Sequence, residues 1–231
     1  MIRIPERVKA GIRNYPRIHR VAEYLHHKYS SLYVRLLIWR YCSLKPTTQR
    51  SVEIIEVDPE EIRYINDPGF RRFEYEVCEY IGGSWDKDLP LFKDSLVYES
   101  FHGHFVESKE WESTEYYNHL VKRIESGRSW HGCVSKREIK ARLSKYDRLH
   151  NTIRHEGYKT QKELQNESGP LEPLSDRQPE MHEITVDIGR SGDLILEDGR
   201  HRLAITQILG LDSVPVRVLV RQDRLRTQIN D

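Results

Sequence analysis

The chain has 231 residues, 37% hydrophobic and 10% aromatic, with 37 Lys/Arg against 36 Asp/Glu and a formal net charge of +1. That apolar content excludes wholesale disorder and is enough for one large domain, or one domain with an appendage. The near-neutral total hides an uneven distribution: residues 1–50 hold eleven Lys/Arg and two Glu, so the remainder is net acidic.

In chain order, Arg17–Cys42 reads as one amphipathic helix, with Ile18, Val21, Leu25, Tyr29, Leu32, Leu36 and Trp39 stepping by three or four. Arg20, Lys28, Arg35 and Arg40 line its other face, and Lys45-Pro46-Thr47-Thr48 ends it as a linker. Residues 1–50 are thus expected to form a basic arm. Its helix suits an anionic membrane surface or nucleic-acid phosphates, or it packs its apolar stripe on the domain behind or on a second subunit. Residues 51–231 form the expected domain, opening on a strand at Val52–Pro59, then an acidic helix start at Glu60-Glu61 and a turn at Asp67-Pro68-Gly69. Ile81-Gly82-Gly83-Ser84-Trp85-Asp86 sets two glycines beside an indole, the pattern of a close backbone approach or a tight turn. An aromatic-rich segment follows, with a helix expected over Thr114–Ser126; about 86–140 reads as an insertion. Tyr146–Glu156 is a helix stopped by Gly157, and 166–180 is a polar, proline-bearing loop. Glu183–Ile188 and Asp193–Glu197 alternate or run apolar around Gly189-Arg190-Ser191-Gly192, a hairpin. Leu203–Leu209 is a helix capped by Gly210, and Val214–Val220 a last strand with Pro215 at its start. Cys42, Cys78 and Cys133 lack CxxC spacing, the first thirty residues lack an apolar signal core, and no run is long enough to span a membrane. These features point to a cytoplasmic chain, with peripheral attachment at the inner membrane face as one use open to the arm.

The chemistry is expected at Asp198-Gly199-Arg200-His201-Arg202, between the strand and the helix. A strand that turns through glycine into a helix presents free N–H groups and the positive end of the helix dipole, and three basic or titratable side chains there make an anion site. The competing reading is an exposed Asp-Gly turn before a salt-bridged helix start. Lys145, Arg148 and Thr152, spaced by three and four, share one face of the preceding helix and are expected to complete the site. His102-Gly103-His104 lacks the partners of a metal site, and none is expected.

The order helix, glycine, strand, hairpin, strand, DGRHR, helix, LGLDSVPVRV over Lys145–Val220 resembles the ParB/sulfiredoxin superfamily. The resemblance implies an α+β fold with a nucleotide-site core at 145–220 and a phosphate site of Lys145, Arg148, Thr152, Gly199, Arg200, His201 and Arg202. Arg200 stands where sulfiredoxins carry their attacking cysteine, so sulfinate reduction is excluded, and no ParB-type DNA-binding pattern follows Val220. The turn is closest to the Asp-Gly-His-His-Arg of the superfamily's free serine kinases. That likeness implies phosphoryl transfer from a nucleoside triphosphate or diphosphate, with Mg²⁺, to a small-molecule or glycan-type hydroxyl. Arg200 would clamp the terminal phosphate, and Asp198, then Glu56, are the candidate bases; Asp198 as a helix cap is the competing role. The alternative function is a non-catalytic or nucleotide-switched nucleic-acid-binding protein.

Overall fold

The computed structural model describes residues 53–66, 79–168 and 179–223. The expected N-terminal helix and its linker, the Asp67-Pro68-Gly69 turn, Cys42, Cys78 and residues 169–178 lie outside that range. The described residues form an α+β structure around one mixed, six-stranded sheet. Its strands are β1 (Glu53–Val57), β2 (Ile62–Ile65), β3 (Glu79–Ile81), β4 (Ile184–Ile188), β5 (Leu194–Asp198) and β6 (Val214–Gln222). The order is β1-β6-β4-β5-β2, with β3 also paired to β6.

Strand β6 is central, antiparallel to β1 and parallel to β4. A strand paired on both sides and covered on both faces reads as a near-continuous apolar run, as Val-Pro-Val-Arg-Val-Leu-Val does. Pro215, second in β6, stands opposite Glu56 of β1 and ahead of the β4 ladder, which begins at Val216, so its missing N–H leaves no gap on the β4 side. The β4–β5 hairpin turns at Gly189–Gly192, with Gly192 at φ +84° and its N–H donating to Gly189 O.

Five helices accompany the sheet: α1 (Leu96–Phe105), α2 (Glu115–Glu125), α3 (Lys136–Glu156), α4 (Gln161–Ser168) and α5 (Arg200–Leu209). Ser95 and Thr114 cap α1 and α2 through their hydroxyls. Ser135 caps α3, its hydroxyl accepting from Glu138 N, and the Glu138 carboxylate reaches back past the cap to accept from Val134 N at 2.9 Å. This helix starts within the segment expected to be an insertion and ends at Gly157, φ +80°, whose N–H returns to Ile153 O.

The aromatic segment is no appendage. Phe92, Phe101, Trp111 and Leu120 belong to the same buried cluster as Leu203, Val216 and Val218. Phe101 is its hub, with ring centroids of Trp111 at 5.1 Å, Tyr146 at 5.3 Å, His201 at 5.6 Å and Tyr116 at 6.2 Å. A buried phenylalanine truncated to alanine costs about 3–5 kcal/mol, so this segment carries a large share of the stability. The opposite side of the sheet holds a buried polar cluster. There Asn66 donates to both Asp187 and Glu197, at 3.0 and 2.9 Å. Burial, reinforced by Glu197, holds the Asp187 carboxyl well above the usual range.

Candidate functional site

Strand β5 ends at Asp198, and α5 begins at Arg200 with Gly199 as its N-cap in the left-handed region, φ +90°. The glycine is required twice over: a Cβ at Gly199 would lie 3.0 Å from Ile184 Cα, and its φ disfavours any L side chain. The N-cap position is held by Gly199, which has no side chain to offer, so Asp198 does not occupy it. The N–H groups of the first turn are left to other partners.

The three basic residues of the turn diverge instead of converging. Successive helical residues point about 100° apart, and here each direction meets a different environment. Arg200 is exposed. Arg202 turns to the edge of β4, where its guanidinium donates to His182 O and to the Tyr158 hydroxyl at 3.2 Å, and lies 3.7 Å from Glu183. Tyr158 also donates to Glu183 at 3.2 Å, and Gln161 N donates to Glu183 at 2.6 Å. Burial pushes the Tyr158 hydroxyl up to about 12 and raises the Glu183 carboxyl. The Gly157–Gln161 segment is fastened to the sheet by this network.

His201 points between the helices. Its Nε2 is 2.7 Å from the Tyr116 hydroxyl on α2 and its Nδ1 3.3 Å from the Tyr146 hydroxyl on α3. The Tyr146 and His201 rings stack with centroids 4.6 Å apart. Burial, then the charges of Arg200, His131 and Arg142, pushes the imidazole down to about 3. Burial raises both tyrosines. Tyr116, His201 and Tyr146 are therefore a neutral chain throughout the physiological range. Two guanidiniums bear on it: Arg200, and Arg142 from α3, which lies 5.8 Å over the Trp130 ring. Neither forms an ion pair among the described residues.

The other expected site residues lie elsewhere. Lys145, Arg148 and Thr152 do share a flank of α3, and all three are exposed. The buried stripe of that helix is Ile139, Leu143, His150 and Ile153, with the half-buried Tyr146 on the same side, more than a quarter-turn away. No described contact links the three to the DGRHR turn; Arg142 and Tyr146 are the α3 residues brought to it. Asp198 is exposed and paired in register with Thr185. Glu56 accepts from Ser213 at 2.9 Å and stands on β1, three inter-strand spacings from β5 or about 14 Å. Sheet order thus separates the two candidate bases.

His104 is a packing residue: it stacks on Trp111 at 4.1 Å, with Nε2 3.1 Å from Asp147 and Nδ1 2.6 Å from Lys109 O. Among the described residues no group of three His, Cys, Asp or Glu is placed to hold a metal ion. In the IGGSWD segment, Arg190 of the hairpin donates to Asp86 and to Gly83 O at 2.9 Å. Burial works to raise the Asp86 carboxyl, and the hydrogen bonds from Arg190 together outweigh it, holding it below the usual range. Cβ positions at Gly82 and Gly83 face open space, so this segment is a clamped turn without a close approach.

Sequence reasoning missed Tyr116, Tyr146 and Arg142. Arg142 and Tyr146 are four apart, and Tyr146 falls on the stripe that starts at Ile139, which is the signal that singles it out. No family model matches the chain, and neither a curated protein nor a solved structure matches it. No helix of the described residues is long and apolar enough to cross a membrane.

Proposed function

We propose that this protein binds the phosphates of a nucleotide at the first turn of α5 and transfers a phosphoryl group from it to a hydroxyl acceptor. The observation that carries the reading is the pair Arg142 and Arg200, two guanidiniums without ion-pair partners among the described residues, beside a helix start that has no side-chain cap. Free N–H groups, the helix dipole and two bidentate donors together match a phosphate. The ParB/sulfiredoxin-like turn sequence supports the same ligand.

In this reading Arg200, exposed at the first helical position, clamps the terminal phosphate and stabilises the charge that develops on it. The acceptor oxygen attacks the terminal phosphorus, the bond to the leaving phosphate oxygen breaks, and the acceptor proton passes to Asp198. Glu56, three strands away, takes no part. The acceptor belongs to the class of small-molecule or glycan-type hydroxyls. Mg²⁺ would arrive on the nucleotide phosphates and neutralise their charge.

A thermal-shift titration of the full chain with nucleoside mono-, di- and triphosphates, with and without Mg²⁺, tests the reading, because a ligand that binds only the folded state raises its melting temperature. The expected result is a shift that grows with ligand and vanishes in Arg142→Ala/Arg200→Ala. A flat response to all of them overturns it.

A further inference from the structure

The Tyr116–His201–Tyr146 chain has a proton count that does not close within itself. Each tyrosine hydroxyl carries one proton, and a neutral imidazole carries one N–H. These three protons serve only two internal hydrogen bonds, at 2.7 and 3.3 Å. One hydroxyl proton is therefore directed outside the chain, whichever ring nitrogen is protonated.

Burial decides which hydroxyl carries it. Tyr116 is 6% exposed, and His201 is the one hydrogen-bond partner described for its hydroxyl. An outward proton on Tyr116 would face the interior without an acceptor, a costly arrangement. Tyr146 is only half-buried, and it lies where Arg142 and Arg200 both act. The arrangement that satisfies every group runs from Tyr116 O–H to Nε2 and from Nδ1–H to the Tyr146 oxygen. The Tyr146 O–H is then free to point outward.

We infer that Tyr146 donates its hydroxyl proton to the oxyanion bound at the first turn of α5, with His201 and Tyr116 as positioning residues that hold it in that role. The inference rests on the phosphate-site reading above and adds to it a neutral donor supplied by α3. It also gives the aromatic segment a part in binding, because α2 supplies Tyr116. The low imidazole pKa agrees with this, since a protonated ring would donate from both nitrogens and leave both tyrosines with outward protons.

The test uses the full chain and methyl phosphate, a monoester too small to draw affinity from a base or sugar. Isothermal titration at pH 8 compares the wild type with Tyr146→Phe, which keeps the ring and its stacking. The expected result is a loss of affinity of about tenfold, the worth of one hydrogen bond to a charged acceptor, in a variant that still unfolds cooperatively at a lowered midpoint because the His201 N–H loses its acceptor. Wild-type affinity in Tyr146→Phe overturns the inference and leaves the phosphate site standing. No binding by the wild type overturns the site reading itself, and the inference with it. Should Tyr146→Phe fail to fold, the ¹⁵N shifts of the His201 ring in the wild type decide instead. They are expected to show Nδ1 protonated and Nε2 as acceptor, and the opposite tautomer, or an imidazolium at pH 7, overturns the inference.

Discussion

His201 and Arg202 are neighbours in the first turn of α5, each bonded to a tyrosine, and the protein treats them in opposite ways. Arg202 has its charge enclosed: Glu183, Tyr158 and the His182 carbonyl take up its guanidinium, and Glu183 is in turn satisfied by Gln161 N. His201 is kept neutral among rings, while the cations on its side, Arg142 and Arg200, have no carboxylate paired with them among the described residues. A cation whose partners are complete belongs to the fold. Cations without a carboxylate partner beside a helix start are what the proposed phosphate site rests on. The same pentapeptide thus holds a structural tie on one side and the proposed binding surface on the other.

The largest expected effect breaks the binding side alone. Arg142→Ala/Arg200→Ala should weaken nucleotide binding by about a hundredfold or more, as two charge-assisted hydrogen bonds imply. The exposed Arg200 should contribute little to the melting temperature. Arg200→Lys should recover only part of the affinity, because an ammonium lacks the planar fork. Equal losses of melting temperature and affinity would remove the distinction drawn between the two sides.

The structural side should fail differently. Arg202→Met leaves Glu183 buried without its cation, and breaking a buried pair costs about 3–5 kcal/mol. With the Arg202 side chain 21% exposed, about 2–3 kcal/mol is expected in chemical denaturation. Adding Glu183→Gln should recover most of it, and the surviving folded protein should still bind nucleotide. Gly199→Ala meets both a positive φ and the Ile184 backbone, for an expected loss of about 2–3 kcal/mol. Gly82→Ala, facing open space, should change stability by no more than about 0.5 kcal/mol.

These contrasts also mark how far the sequence could be read. Strands β1, β4, β5 and β6, the hairpin, α2, and the stops at Gly157 and Gly210 were legible because each depends on spacing within a dozen residues. The start of α3 was not: Lys136–Lys145 is dominated by charge, and its apolar stripe shows only when Ile139 and Leu143 are joined to Tyr146 and Ile153. The partners of His201 were hidden for a different reason. Tyr116 and Tyr146 lie 85 and 55 residues from it, and nothing local ties them together. The DGRHR turn was recognisable as a turn, yet consecutive side chains on a helix diverge, so its composition overstated how many cations share one point.

A smaller effect separates buried charge that is tolerated from buried charge that is used. Asp187 has its folded pKa raised above the unfolded value of 3.8. Its contribution to stability is complete below that value and is lost as pH rises through the folded pKa. Asp187→Asn resembles the protonated carboxyl and does not titrate. Its melting temperature relative to the wild type should therefore improve from pH 4 to pH 8. A difference that stays constant over that range would show that Asp187 keeps its charge in the fold.

The smallest expected effect concerns Lys145, Arg148 and Thr152, whose spacing and family resemblance suggested a shared phosphate ligand. Spacing by three and four places residues on one face of a helix, but burial of the apolar stripe decides which face that is. Here Ile139, Leu143 and Ile153 turn inward with Tyr146, and the Lys145 flank turns to solvent. The triple variant Lys145→Ala/Arg148→Ala/Thr152→Ala should change methyl phosphate affinity by no more than about twofold, through long-range charge that salt screens at close to 10 Å. Its melting temperature should move little, since exposed substitutions mostly stay within about 0.5 kcal/mol each. A loss comparable to that of Arg142→Ala would show that the ligand reaches around α3 to its outer flank. The site would then extend over two faces of the helix, and the division between binding and structural sides would have to be redrawn around α3 instead of α5.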